Sequence, residues 1–187
     1  MRFQFNWTFI GLILAAGFLA EGCYFDRSTW EIALRLQFAA LIVHQFEEYT
    51  LPGGFVGFYN SVVYRRSPLT RYPLGNIGVL LVNCVLSWPL YIGVCIFPDQ
   101  HLLAFGLAAI HVLNAFAHLA IAAFQRRYNP GVISGAFLLV PSAAFVIFLL
   151  VDLQIFEILL VVPFAIVSAI VTIQGSIFVG SKLDRNF

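Results

Sequence analysis

Residues 101–124 read HLLAFGLAAIHVLNAFAHLAIAAF. The run contains no Asp, Glu, Lys or Arg, and as an α-helix it extends about 36 Å, enough to cross a hydrocarbon core roughly 30 Å thick. It reads as a membrane span with an anomaly, because His111, Asn114 and His118 interrupt it at i, i+3 and i+7. At 3.6 residues per turn these three side chains share one face.

Outward from this stretch the sequence supplies five more segments of similar character, at residues 6–24, 30–49, 76–97, 131–151 and 154–180. The expected fold class is all-α, a polytopic membrane protein built as a six-helix transmembrane bundle, with a single transmembrane domain over residues 1–187. Composition agrees. Of the 187 residues 61% are hydrophobic and 10% charged, and the mean hydropathy is +0.92, which excludes both an ordinary soluble domain and a disordered chain. The first segment, with Arg2 ahead of it and small residues near Ala20, has some look of a secretory signal. Its apolar run is long and Glu21 follows the small residues, so it is expected to remain a helix. Pro89, Pro141 and Pro163 lie inside spans and predict kinks. Cys23, Cys84 and Cys95 have no metal-ligand spacing and read as buried hydrophobes.

Charge sets the orientation. Arg2, then Arg65, Arg66 and Arg71, then Arg126 and Arg127, then Lys182 and Arg185 occupy alternate ends of the spans. Glu21, Asp26, Asp99, Asp152 and Glu157 occupy the others, with Arg27 the one exception. Cationic loops resist translocation, so both termini are expected in the cytoplasm. The net charge of +1, with its cations in small clusters, leaves no electrostatic footprint for nucleic acid. The expected partners are membrane lipids and a lipid or other apolar small-molecule substrate. Between the second and third segments, Phe55, Phe58, Tyr59 and Tyr64 alternate with Arg65 and Arg66. That mixture suits a segment in the headgroup zone or an aromatic loop packed beneath the bundle.

Ionisable side chains at membrane depth are expensive and mark function. The second segment ends in His44-Gln45-Phe46-Glu47-Glu48, where His44, Glu47 and Glu48 share a face. The second and fourth segments run in the same direction, so His44 to Glu48 and Asn114 to His118 fall at one level in the cytoplasmic half. Asn83 and Gln174 reach a similar depth. Imidazole and carboxylate ligate zinc, iron and manganese, and an i, i+3 or i, i+4 pair converges on one ion. The expected cofactor is a divalent transition metal, zinc or iron, as one or two ions. With one ion, His44, Glu48 and His118 are the ligands, Glu47 acts as general base on water and Asn114 orients substrate. With two, Glu47 or Glu48 bridges and His111 joins the second ion, because His111 and His118 are about 10.5 Å apart along the axis.

The reading is therefore an integral membrane protein with a buried His/Glu site, expected to be a metal-dependent hydrolase or oxidoreductase. Two alternatives stand beside it. Clustered carboxylates and imidazoles can run acid and base chemistry without metal, as an isomerase requires. A proton- or cation-coupled carrier needs polar groups at both faces, and the outer half offers only Arg35 within a span. Arg35 sits one turn after Glu31 and is expected to pair with it. Glu21 reads as a loop charge, and Asn129-Pro130-Gly131 as a turn of structural importance.

The string His44-Gln45-Phe46-Glu47-Glu48 resembles the signature of a family of bacterial membrane proteins named for its HXXEE motif and of uncharacterised function. A later helix with Asn114 and His118, followed by the turn from Tyr128 to Gly131, is similar to that family's layout, so the likeness covers roughly residues 35–150. The resemblance implies a shared polar site rather than a reaction, and a bacterial inner (cytoplasmic) membrane.

Overall fold

The computed structural model describes residues 2–67, 72–150 and 155–183, the side chains of residues 2–6 excepted. Of the charges used above, Arg71, Asp152, Arg185 and the side chain of Arg2 lie outside the described part. So do the last residue of the expected fifth span and the first of the sixth.

Seven helices occupy the described residues. They are α1 (Arg2–Tyr24), α2 (Thr29–Tyr49), α3 (Phe55–Val63), α4 (Asn76–Ile96), α5 (His101–Gln125), α6 (Val132–Leu149) and α7 (Ile155–Leu183). Six of them match the six expected segments, and the aromatic stretch after α2 forms the short α3. Five helices among the described residues, α1, α4, α5, α6 and α7, are long and apolar enough to cross a membrane. The sixth long helix, α2, carries Glu31, Arg35, Glu47 and Glu48, and its place in the bundle explains how it tolerates them. Twelve of its 21 residues are buried, against α1, α4 and α6. The most apolar helix, α7, has only 6% of its span buried. This is the distribution lipid demands, with apolar surface outward and the charged groups of α2 turned into the bundle.

The starts and stops of α2 are written locally. Ser28 caps it in a reciprocal box with Glu31, which satisfies two of the donors a helix start leaves open. It ends at Thr50, where Pro52-Gly53-Gly54 prevents continuation. Trp30 donates to the Pro98 carbonyl at 2.8 Å and stacks on His101. At the opposite end Thr8 meets Thr50 at 2.6 Å and Tyr64 donates to Gln174 at 3.0 Å. Helices α2 and α5 meet early at Trp30 and His101 and again later at His44 and His118, and so run in the same direction.

Two of the three intraspan prolines are accommodated by π-turns. Leu81–Ser87 precedes Pro89 and Gly135–Leu139 precedes Pro141. A proline removes one amide donor and crowds the preceding turn. The wider turn relieves this, with Trp88 N–H bonding to Asn83 and Val140 N–H to Gly135. Pro163 lies inside α7.

Other expectations change. Arg35, 3% exposed, pairs with the Glu21 carboxylate at 2.6 and 2.8 Å and meets Glu31 only through its backbone carbonyl at 3.0 Å. The Glu31 carboxylate is taken by Ser28 and Arg27. Arg27 also binds Glu21, and this carboxylate lifts the guanidinium above its ordinary pKa. Glu21 is thus a link between α1 and α2 rather than a loop charge. Cys95 is buried as expected, whereas Cys84 is half-buried and Cys23 exposed.

Candidate metal centre

His44 and Glu48 stand one turn apart on the buried face of α2, and α5 brings His118 to them. All three are buried, and one donor atom from each lies within 4.8 Å of the others. His118 Nε2 is 3.2 Å from Glu48 Oε1, and His44 Nε2 is 3.6 Å from the same oxygen. The two imidazole rings meet edge to face with centroids 5.0 Å apart.

The far side of each ring settles its proton. Ser134 Oγ gives its hydrogen to Glu47 Oε2, so it accepts from His44 Nδ1, 3.0 Å away. The Asn129 amide donates to the His118 carbonyl at 2.7 Å, which turns its oxygen toward His118 Nδ1 at 2.6 Å. Both histidines thus carry hydrogen on Nδ1 and direct Nε2 at Glu48. A metal-ligating histidine is held in this manner, its tautomer and ring orientation set by an outer acceptor. Asn114 completes the inner layer with its amide 3.1 Å from His44 Nε2.

Glu47 has a different assignment. Its Oε1 accepts from Tyr128 Oη at 2.8 Å and Ile133 N at 3.2 Å. Its Oε2 accepts from Ser134 N at 2.7 Å and from Ser134 Oγ. A carboxylate of α2 therefore caps the amino terminus of α6, where free amides favour an anion. Tyr128, in the turn before α6, has its phenol pushed above the ordinary range by burial and by Glu47, so it remains a donor. The sequence reading offered Glu47 as a base or bridge. Here it lies outside the three-ligand group, joined to it through Ser134 and His44.

Gly131 lets the centre close. Its φ is +99°, and a Cβ there would stand 2.7 Å from His118 Cε1, 2.8 Å from His44 Cε1 and 3.0 Å from Glu48 Cγ. The left-handed conformation and the missing side chain are both needed. Phe55 of α3 lies over the edge of the site, 5.6 Å from the His118 ring.

The remaining polar residues go elsewhere. His111 stacks on Tyr91 at 5.1 Å with Nδ1 3.4 Å from Ser142 Oγ, outside the three-ligand group. Asn83 pairs with Gln45, which also accepts from Trp88, on another face of α2. Gln174 takes Tyr64. Sequence reasoning missed Ser134, Tyr128, Asn129 and Gly131 as parts of the site. The turn signal at Asn129-Pro130-Gly131 was visible, but nothing in it announces that it closes over histidines from two other helices.

A family model described as a protein of unknown function with an HXXEE motif matches residues 35–146. The matched stretch runs from Arg35 to Val146 and so contains every residue of the centre. No curated protein and no solved structure matches the chain.

Proposed function

The chain belongs to the family of proteins of unknown function with an HXXEE motif, and we propose that the motif's His44 and Glu48, with His118, hold one divalent transition metal in a membrane enzyme. The substrate is a lipid or another apolar molecule. One observation carries this reading. Two buried imidazoles turn their Nε2 atoms toward one carboxylate while acceptors behind the rings hold their Nδ1 atoms. Nitrogen and carboxylate oxygen together suit zinc or iron. A bound ion would supply Lewis acidity, and with it activation of water or of a substrate oxygen.

The protein's own groups divide the remaining work. Glu48 supplies the negative charge. Asn114, half-buried beside His44, orients the substrate. Glu47 is a positioning residue that holds α6 and, through Ser134, the plane of His44. An apolar groove of about 540 Å³ between α2 and α6, walled by Val43, Phe46, Phe137 and Leu138, reaches Glu47 and Ser134. It offers an apolar substrate a path from the leaflet. The arrangement of cations supports a site in the cytoplasmic half of the membrane with both termini inside, and the bacterial inner membrane is the proposed location.

Lipid profiling of cells that lack the protein tests the function. An apolar species should accumulate, disappear on complementation with the wild type, and persist with Glu48→Gln. An unchanged profile, or full complementation by Glu48→Gln, would overturn the reading. A second reading rests on His118, which makes close polar contacts at both ring nitrogens, 2.6 and 3.2 Å. An imidazolium paired with a carboxylate has this pattern, and a metal-free isomerase would use it. Such an enzyme keeps its activity after exhaustive chelation, and a metal enzyme loses it.

A further inference from the structure

Seven residues before His44, α2 carries Gln37, and seven residues before His118, α5 carries His111. Seven residues return a helix to within about 20° of its starting direction and advance it about 10.5 Å. Since α2 and α5 run in the same direction, Gln37 and His111 belong to the same two facing stripes as the metal centre, one layer deeper.

Both are enclosed, Gln37 at 0% and His111 at 1% exposure. Neither atom of the Gln37 amide, nor His111 Nε2, has a hydrogen-bond partner among the described residues. Buried polar groups at membrane depth are ordinarily paired, and the exceptions call for a cause. A turn further from the metal centre the stripes become wholly apolar, with Ala33, Leu34, Leu107 and Ala108 at 0–2% exposure.

The hydrogen positions define what fits. Ser142 Oγ donates to the Leu139 carbonyl at 3.1 Å and so accepts from His111 Nδ1 at 3.4 Å. His111 Nε2 is therefore an acceptor, and the stack on Tyr91 holds the ring in place. A partner must bring a hydrogen to this nitrogen, and Gln37 can answer it with both a donor and an acceptor. A ketone or ether has no hydrogen to give. A carboxylate or ammonium would lack a counter-charge in this layer among the described residues. A neutral hydroxyl meets each requirement.

We infer that Gln37 and His111 form a hydroxyl-binding subsite, and that the substrate is an apolar alcohol whose hydroxyl lies about two helical turns, roughly 10.5 Å, from the metal ligands. The substrate class rests on the enzymatic reading above, but the subsite does not require it.

Thermal unfolding in phosphatidylcholine nanodiscs tests the subsite, with octan-1-ol as probe and methyl octyl ether as a control that cannot donate. Octan-1-ol at about tenfold its Kd should raise the wild-type Tm by on the order of 3 °C, and the ether should not. Gln37→Leu should abolish that rise and retain the wild-type metal content. Its own Tm should be equal or higher, because an unpartnered amide has been removed. His111→Phe should also abolish the rise, and serves if Gln37→Leu fails to fold. Equal shifts from alcohol and ether in the wild type, or an alcohol shift that survives these substitutions, would overturn the inference. An alcohol-specific shift in a protein that binds no metal would keep the subsite and discard the metal reading.

Discussion

Gly131, Ser134 and Asn129 decide whether His44, Glu48 and His118 can meet, although none of the three belongs to the candidate ligand group. An alanine at 131 adds a methyl within 3.0 Å of all three ligand side chains and strains a backbone at φ +99°, a conformation an L-residue adopts at a cost of about 1–3 kcal/mol. Removal of the Ser134 hydroxyl frees the His44 ring and takes one donor from Glu47. Outer partners of metal ligands typically contribute 10–100-fold to affinity. In titration of the purified protein with cobalt or zinc, Ser134→Ala should weaken binding by about that factor and Gly131→Ala by at least as much. Wild-type affinity in both variants would contradict the geometry described. Much of the candidate site was legible, the meeting of His44, Glu48 and His118 above all, because helical spacing assigns a residue to a face and counted rise assigns it a depth. The same rules could not separate Glu47 from Glu48, which both lie on the interior face of α2. Only the arrival of the amino terminus of α6 beside Glu47 distinguishes them.

At the scale of the element, α2 is a polar helix that depends on its neighbours. Its charges are answered from outside, Arg35 by Glu21 of α1 and Glu47 by the start of α6. A charged side chain near the middle of an isolated span costs about 2.5–3.5 kcal/mol on insertion. In a single-segment insertion assay, residues 29–49 alone should therefore insert in well under half of molecules, and residues 155–183 almost completely. Arg35→Leu should raise insertion of the isolated α2. Equal insertion of the two wild-type segments would show that α2 does not need the bundle. The positions of the long helices were readable from hydrophobic run length, and the prolines marked where α4 and α6 widen into π-turns. Rotation about the helix axis was not readable. Asn83 and Gln174 were expected near the polar centre from depth alone, and each is turned to a different partner.

For the whole molecule, six crossings by the long helices of the described residues are expected to leave both termini on one side, the side of the clustered arginines. Reporter fusions at each terminus should both report the cytoplasm, and opposite locations would refute the topology. The buried polar groups of the bundle lie at several levels, from the Glu21–Arg35 pair at one end, through Gln37 and His111, to the His/Glu centre near the other. The most direct test is elemental analysis of protein purified from metal-replete cells, repeated on His44→Ala, Glu48→Gln and His118→Ala. The proposed function predicts about one transition-metal ion per chain, bound by two imidazoles and a carboxylate, with occupancy falling at least about tenfold in each variant. A wild-type protein free of transition metal, or one whose metal content is unchanged by His118→Ala, would contradict it.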